Sequence, residues 1–209
     1  MCSSLDIIYD SIFKIFIINR YDMNKNMSIK DGQSEVLLNC NKGSSFFIYG
    51  EIDDTFPIQI LVPFNRFIHN TKNENSDINI YINSIGGDIY YANEMVSLIE
   101  YAKTKGFVIN TFVLSRAASA ASYIAIMGTN RFGSKRAMHL IHYPSSSDLS
   151  ENPIMFRRNL ETYNFLTEKM IEGYEEYCCI PNLRENMFND NFHIYSEDLI
   201  KYKLIDSFL

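Results

Sequence analysis

The stretch Val113–Gly128, Val-Leu-Ser-Arg-Ala-Ala-Ser-Ala-Ala-Ser-Tyr-Ile-Ala-Ile-Met-Gly, constrains this chain more than any other. An apolar run, Phe107 to Leu114, enters it as a strand. A block of very small residues follows, and then a short helical pattern through Tyr123, Ile124 and Ile126 to Gly128. Small side chains at a strand-to-helix junction let the backbone turn sharply. They also leave a serine hydroxyl beside the first, unpaired N–H groups of the helix, where developing negative charge is favoured. Close helix packing alone is the competing explanation for Ala117–Ala121, so the rest of the chain has to decide.

The flanking pattern is α/β. Phe46–Tyr49, closed by Gly50, reads as a buried strand, and Pro57 opens a helix to about Asn70 with Asp53, Asp54 and Thr55 as candidate caps. Ile78–Ile82 is a second strand and Ser84-Ile85-Gly86-Gly87 a turn. Asp88 then caps a helix whose Ala92, Met95, Val96, Ile99 and Ala102 keep helical spacing, and Gly106 ends it. After the small-residue helix, Thr129–Arg136 is a connection, and Met138–His142 a strand ended by Pro144 and Ser145–Ser147. The longest helix runs from Pro153 to Tyr177, with Phe156, Leu160, Tyr163, Leu166, Met170, Tyr174 and Tyr177 on one stripe. A shorter helix, Asn182–Phe188, and a capped helix from Ser196 leading to a small strand near Leu204–Asp206 complete the chain. Repeated strand–helix alternation implies a mainly parallel sheet.

Composition narrows the function. A chain of 209 residues supports one good-sized core, and 46% hydrophobic residues with 14 Tyr and 15 Phe make it globular. A net charge of −6 without a basic stripe argues against nucleic acid and leaves peptide or protein partners open. Cys2, Cys40, Cys178 and Cys179 lack metal or redox spacing, which suits free thiols in a reducing, cytoplasmic setting. Ile7–Tyr21 is too short and too charged for a membrane span. Residues 1–30 leave plastid or mitochondrial import open, although their acidic residues do not suit the usual presequence.

Among the serines at the junction, Ser115, Ser119 and Ser122, the helix start favours Ser119. Ser122 lies one turn further in, where a hydroxyl more often bonds back to a carbonyl. Of the four histidines (His69, His139, His142 and His193), His142 ends a strand at the sheet edge, and alternation puts its neighbour His139 on the opposite face. Gly86-Gly87 can bring backbone N–H groups close to a site.

These residues resemble the Clp protease proteolytic subunit (ClpP) family of serine peptidases. The family's Ser-Pro-Gly-Gly turn reads here Ser84-Ile85-Gly86-Gly87, and its Gly-x-Ala-Ala-Ser block reads Ser115-Arg116-Ala117-Ala118-Ser119, followed by Gly128. Its Ile-His-x-Pro is Ile141-His142-Tyr143-Pro144. Its Asp-x-Phe, before a Gly-Leu-Ile-Asp-like strand, is Asp190-Asn191-Phe192 before Lys203-Leu204-Ile205-Asp206. Each motif alone is weak. In register, from Ser45 to the C-terminus, they are specific.

The resemblance implies a ClpP/crotonase-like fold of repeated β-β-α units with a protruding handle helix, Pro153–Tyr177, in a peptidase domain over residues 45–209 after a divergent segment over 1–44. It implies Ser119 as nucleophile, His142 as general base and Asp190 as the carboxylate that holds the imidazole tautomer and stabilises the imidazolium, with oxyanion donors at the N–H groups of Gly87 and Ala120. Neither metal nor organic cofactor is implied. The implied activity is cleavage of unfolded polypeptides inside a homo-oligomeric ring, a heptamer or double heptamer. An AAA+ unfoldase partner is left open, because residues before Ser45 do not match the family's axial-loop sequence. Ile85, Ser115 and Ala120-Ala121 depart from the family's proline, glycine and Met-Gly, and Ser119 and His142 lie slightly closer in sequence than usual. Those departures look more like phage-type ClpP-like maturation proteases, and they also motivate a non-catalytic structural subunit as an alternative. An acyl-CoA enzyme of crotonase type fits the architecture but not the serine–histidine pair.

Overall fold

In the computed structural model, which describes residues 44–71, 76–144, 153–189 and 191–209, the chain builds one sheet with helices packed against it. The segment 1–43, Ser145–Ser147 and Asp190 lie outside the described residues. Strand β1 (Ser44–Ile52) leads into a π-helical turn (Pro57–Leu61) that continues as helix α1 (Val62–Asn70). Then come β2 (Asp77–Gly87), α2 (Ile89–Thr104), β3 (Val108–Ala118), α3 (Ala120–Ile126), β4 (Asn130–Gly133) and β5 (Met138–Ile141). The long helix α4 (Pro153–Tyr177), α5 (Leu183–Asn189), β6 (Phe192–Tyr195), α6 (Glu197–Lys201) and β7 (Ser207–Phe208) follow.

The main sheet has the order β1-β2-β3-β4-β7, all parallel. Beyond the point where β3 leaves β4, it pairs in parallel with β5, and β6 closes antiparallel on β5. This is the mixed α/β architecture that the alternation implies.

Register makes each face of the sheet uniform. Ile78, Ile80 and Ile82 face a core with Ile48, Ile109, Val113 and the buried side of α2. The opposite face carries two ladders. Phe47, Tyr81, Phe112 and Phe132 are in lateral register and stack with centroids 5.1, 4.8 and 5.1 Å apart. Two positions earlier on β2 and β3, Asn110 donates to Asn79 at 3.0 Å and accepts from Asn130 at 2.8 Å.

Helix α2 forms as its pattern requires: Asp88 accepts from the N–H groups of Tyr90 and Tyr91, and all five of its spaced apolar residues are buried. Asn130–Gly133 and Phe192–Tyr195 form strands where none is expected, the last strand is Ser207–Phe208 and not Leu204–Asp206, and the first three strands run longer than their sequence readings. β1 runs past Gly50 to Ile52 through a bulge between Gly50 and Glu51. Ser84–Gly87 is the end of β2 rather than a turn, because Glu51 and Ile52 remain paired with Gly86 and Gly87. β3 extends through the small-residue block to Ala118, paired with Met138–Leu140. The block therefore starts as strand, and its smallness serves the sheet as well as the helix.

Among the described side chains of the handle, burial is concentrated in its C-terminal half. Thr167, Met170, Ile171 and Tyr174 are buried against the domain, and Gly173 lets Tyr123 approach so closely that a Cβ there would lie 2.7 Å from its ring. Towards the N-terminal end Leu160 and Phe165 are 47% and 60% exposed. The apolar stripe is thus divided between its own core and an open surface. No helix among the described residues is long and apolar enough to cross a membrane.

Candidate active site

Ser119 is the pivot between β3 and α3, and its backbone is unusual, with φ 54° and ψ −125°. For a residue with a Cβ this conformation costs about 1–3 kcal/mol, and it persists only where the surroundings over-determine it. They do so here. The Ser119 N–H donates to the Leu140 carbonyl at 2.7 Å, which extends the β3–β5 ladder by one bond. The Ser119 carbonyl accepts from Ser122 and Tyr123 as α3 begins. The side chain is thereby turned out at the junction. Ala120, the first residue of α3, has an N–H with no acceptor one turn back in the helix.

Gly86 and Gly87 close the other side, both at positive φ (88° and 146°). A Cβ on Gly86 would lie 2.4 Å from the Ala118 carbonyl oxygen and 2.8 Å from the Ser119 Cβ, and one on Gly87 would lie 2.2 Å from the Ile52 carbonyl oxygen. Only glycine fits at either position. Ser84 holds this approach in place, its hydroxyl donating to the Gly50 carbonyl at 2.6 Å and accepting from the Gly86 N–H at 3.0 Å.

His142 follows the last residue of β5. Its Nδ1 lies 2.7 Å from the Tyr143 carbonyl oxygen, which can only accept. The proton of the neutral ring therefore sits on Nδ1 and leaves Nε2 with a free lone pair. His139, on the same strand, faces the opposite way and is wholly buried, as alternation requires. Burial pushes its pKa down to about 3, with the Arg131 charge adding to the effect, so the ring is neutral.

Ser119, His142, Gly86, Gly87 and Ala120 line one cleft of about 620 Å³, to which the handle contributes Asn159, Tyr163 and Met170. Among the described residues Ser119 Oγ makes no hydrogen bond, so the link from hydroxyl to imidazole is open in this state, as it often is before substrate binds. Asp190 lies outside the described residues. Ser122 differs from its sequence reading: its hydroxyl meets His139 Nδ1 at 2.8 Å instead of bonding back to a carbonyl. Spacing arguments also missed the Tyr143 carbonyl and Ser84, the first because a backbone acceptor leaves no trace in side-chain pattern. A hydroxyl and an imidazole lining one cleft, beside backbone N–H groups, are the groups that acyl transfer uses.

Comparisons with known proteins give the family. A family model described as Clp protease matches residues 31–209. An ATP-dependent Clp protease proteolytic subunit of Ligilactobacillus salivarius is 24% identical over 173 residues, covering 80% of this chain and 84% of that protein. The ATP-dependent Clp protease proteolytic subunit 2 of Streptomyces coelicolor is 28% identical over 139 residues, covering 64% of this chain and 61% of the relative. Subunit 3 of Rhizobium johnstonii is 28% identical over 111 residues, covering 53% and 55%. The chain therefore spans most of the first relative and less than two thirds of the other two. With its fold, its serine–histidine cleft and a family match over nearly the whole described chain, this protein belongs to the Clp protease family.

Proposed function

We propose that this chain is a serine endopeptidase of the Clp proteolytic-subunit type, acting on unfolded or flexible polypeptide segments. The observation that carries the reading is the strained Ser119 sharing a cleft with a His142 whose Nε2 is free to accept a proton. In this mechanism Ser119 Oγ attacks the scissile carbonyl carbon as His142 Nε2 takes its proton. The negative oxygen is held by the N–H groups of Gly87 and Ala120. The imidazolium passes its proton to the leaving amine, and a water activated by the same ring releases the acyl group. Asp190 is the proposed third member, taking over from the Tyr143 carbonyl the task of holding Nδ1–H and stabilising the imidazolium. Glu51, Asp53 and Asp88 line the cleft, and no lysine or arginine does so among the described residues, which disfavours acidic peptides.

Assembly into a heptameric or double-heptameric ring belongs to the same proposal. Exposed Leu160 and Phe165 on the handle support it, because apolar side chains of that size on a projecting helix suit a partner surface. An ATP-driven unfoldase partner is proposed from the names of the relatives, which include the words ATP-dependent. The open Ser119–His142 link favours a second reading, a ring subunit that does not turn over. Hydrolysis of a fluorogenic peptide separates the two. On the peptidase reading, Ser119→Ala lowers kcat by at least about 10³-fold. Native-level hydrolysis by Ser119→Ala removes Ser119 from the mechanism, and no hydrolysis by the native protein favours the silent subunit.

A further inference from the structure

Beneath the floor of the cleft lies a second serine–histidine pair. Ser122 and His139 are both 0% exposed and are joined at 2.8 Å through Oγ and Nδ1. Ser122 sits one turn after Ser119 on α3, and His139 sits on the strand that delivers His142. Tyr174, from the docked end of α4, brings a fully buried phenol to the same place, beside Ser122. None of the three reaches the cleft, so none touches substrate.

This cluster is poorly explained by stability. His139 Nε2 is buried without a hydrogen-bond partner among the described residues. An aliphatic residue at position 139 would leave no such orphaned nitrogen. What a hydrogen bond adds over apolar contact is direction: it holds a distance and an angle, whereas hydrophobic contact tolerates sliding and rotation.

Thr111 Oγ1, donating to the Ala125 carbonyl at 2.8 Å, ties the far end of α3 to β3, but it makes no link to β5. The β3–β5 ladder pairs Ala117 with His139 and Ala118 with Leu140, and its last bond is Ser119 N–H to Leu140. Beyond that bond the chain turns through the strained Ser119 backbone, and the orientation of α3 sets where Ser119 Oγ and the Ala120 N–H point. The Ser122–His139 bond ties α3 back to β5 one turn beyond the pivot. Both ends of the tie are rigidly connected to reacting groups, Ser122 through α3 to Ser119 and His139 through β5 to His142.

We propose that Ser122 and His139 are positioning residues: their buried hydrogen bond locks the rotation of α3 against β5 and so aims Ser119 Oγ at His142. The proposal rests on the peptidase reading above. Its test is the kinetics of a fluorophosphonate probe on the native protein, Ser122→Ala, His139→Leu and the double variant. Each single substitution strands one partner, so both thermal stability and labelling fall. The double variant removes both members of the bond and regains part of the stability, the Tyr174 phenol beside position 122 remaining.

In the double variant kinact is expected to stay lower on the order of tenfold to a hundredfold, with KI and the labelled fraction near native, because misaim of a fraction of an ångström is enough. A purely structural role makes the labelled fraction follow the folded fraction while kinact in that fraction is native. A native kinact in the double variant overturns the proposal and leaves the peptidase reading standing, as does a change confined to KI. Absence of Ser119 labelling in the native protein overturns both. Should the double variant fold poorly, Ser122→Ala, which adds no volume, gives the same rate-against-fraction comparison.

Discussion

Gly86→Ala should abolish covalent labelling of Ser119 and weaken the fold. At φ 88° a side chain is strained wherever it sits, at a cost of about 1–3 kcal/mol. The larger effect is the contact. The new methyl would lie 2.4 Å from the Ala118 carbonyl oxygen and 2.8 Å from the Ser119 Cβ, and 3.1 Å from the Ala120 nitrogen. These atoms cannot retreat cheaply, because β3 is laddered to β5 and Ser119 N–H is committed to Leu140. Either β2 moves off the cleft or Ser119 is rotated, and a shift near 1 Å at a reacting group costs on the order of a hundredfold in rate. Gly50 provides the control. Its φ of 80° imposes comparable backbone strain on an alanine, yet nothing lies within 4 Å of the added Cβ. Gly50→Ala should therefore lose only about 1 kcal/mol and keep native labelling. Thermal melts and probe kinetics on the two variants check this, and native labelling in Gly86→Ala would show that β2 does not define the site.

Acid should destabilise this protein through His139 well before its carboxylates titrate. The folded ring has a pKa of about 3, and the unfolded ring about 6.5. Because the folded value is depressed, the unfolded chain binds the extra proton. The stability that His139 contributes is complete above about pH 6.5 and is lost progressively as pH falls towards 3. The slope approaches 1.4 kcal/mol per pH unit, which amounts to about 2 kcal/mol between pH 6.5 and 5. Burial is the main cause and the Arg131 charge adds to it. Its hydrogen-bond partner, the Ser122 hydroxyl, carries no negative charge to stabilise an imidazolium. Chemical denaturation at pH 7, 6 and 5 checks this, with His139→Leu expected to flatten the dependence over that window. Parallel profiles for the two proteins would assign the acid lability to other groups.

Much of the architecture is legible in the sequence where periodicity runs long. Pro153 and the stripe through Tyr177 define α4, and Asp88 with the buried positions from Ala92 to Ala102 defines α2. Short elements are hidden for physical reasons. Asn130–Gly133 becomes β4 because β3 supplies a template, although the segment has little apolar alternation of its own. Phe192–Tyr195 becomes β6 only by pairing with β5. Gly86 and Gly87 read as punctuation because glycine usually ends a strand. Here they continue β2 at positive φ so that it can press against Ser119.

The candidate site is legible to the extent that its residues carry distinctive side chains at strand and helix ends. Ser119 and His142 are found that way, and they line one cleft. What sequence does not show is the tertiary part: the Leu140 and Tyr143 carbonyls that hold them, and Ser122 turning to His139 instead of to its own helix. Those partners come from elements distant in sequence or from backbone atoms common to every residue. The handle illustrates the same limit, since a single apolar stripe serves the core from Thr167 to Tyr174 and open surface around Leu160 and Phe165.

The central claim is that Ser119 is a nucleophile activated by His142. The most direct test is to expose the folded protein to a fluorophosphonate and map the modified residue by mass spectrometry, beside Ser119→Ala and His142→Asn. The adduct is expected on Ser119 alone, with none in Ser119→Ala and a rate reduced at least about 10³-fold in His142→Asn. An adduct on Ser84 or Ser122, or none on a protein shown to be folded, would contradict it.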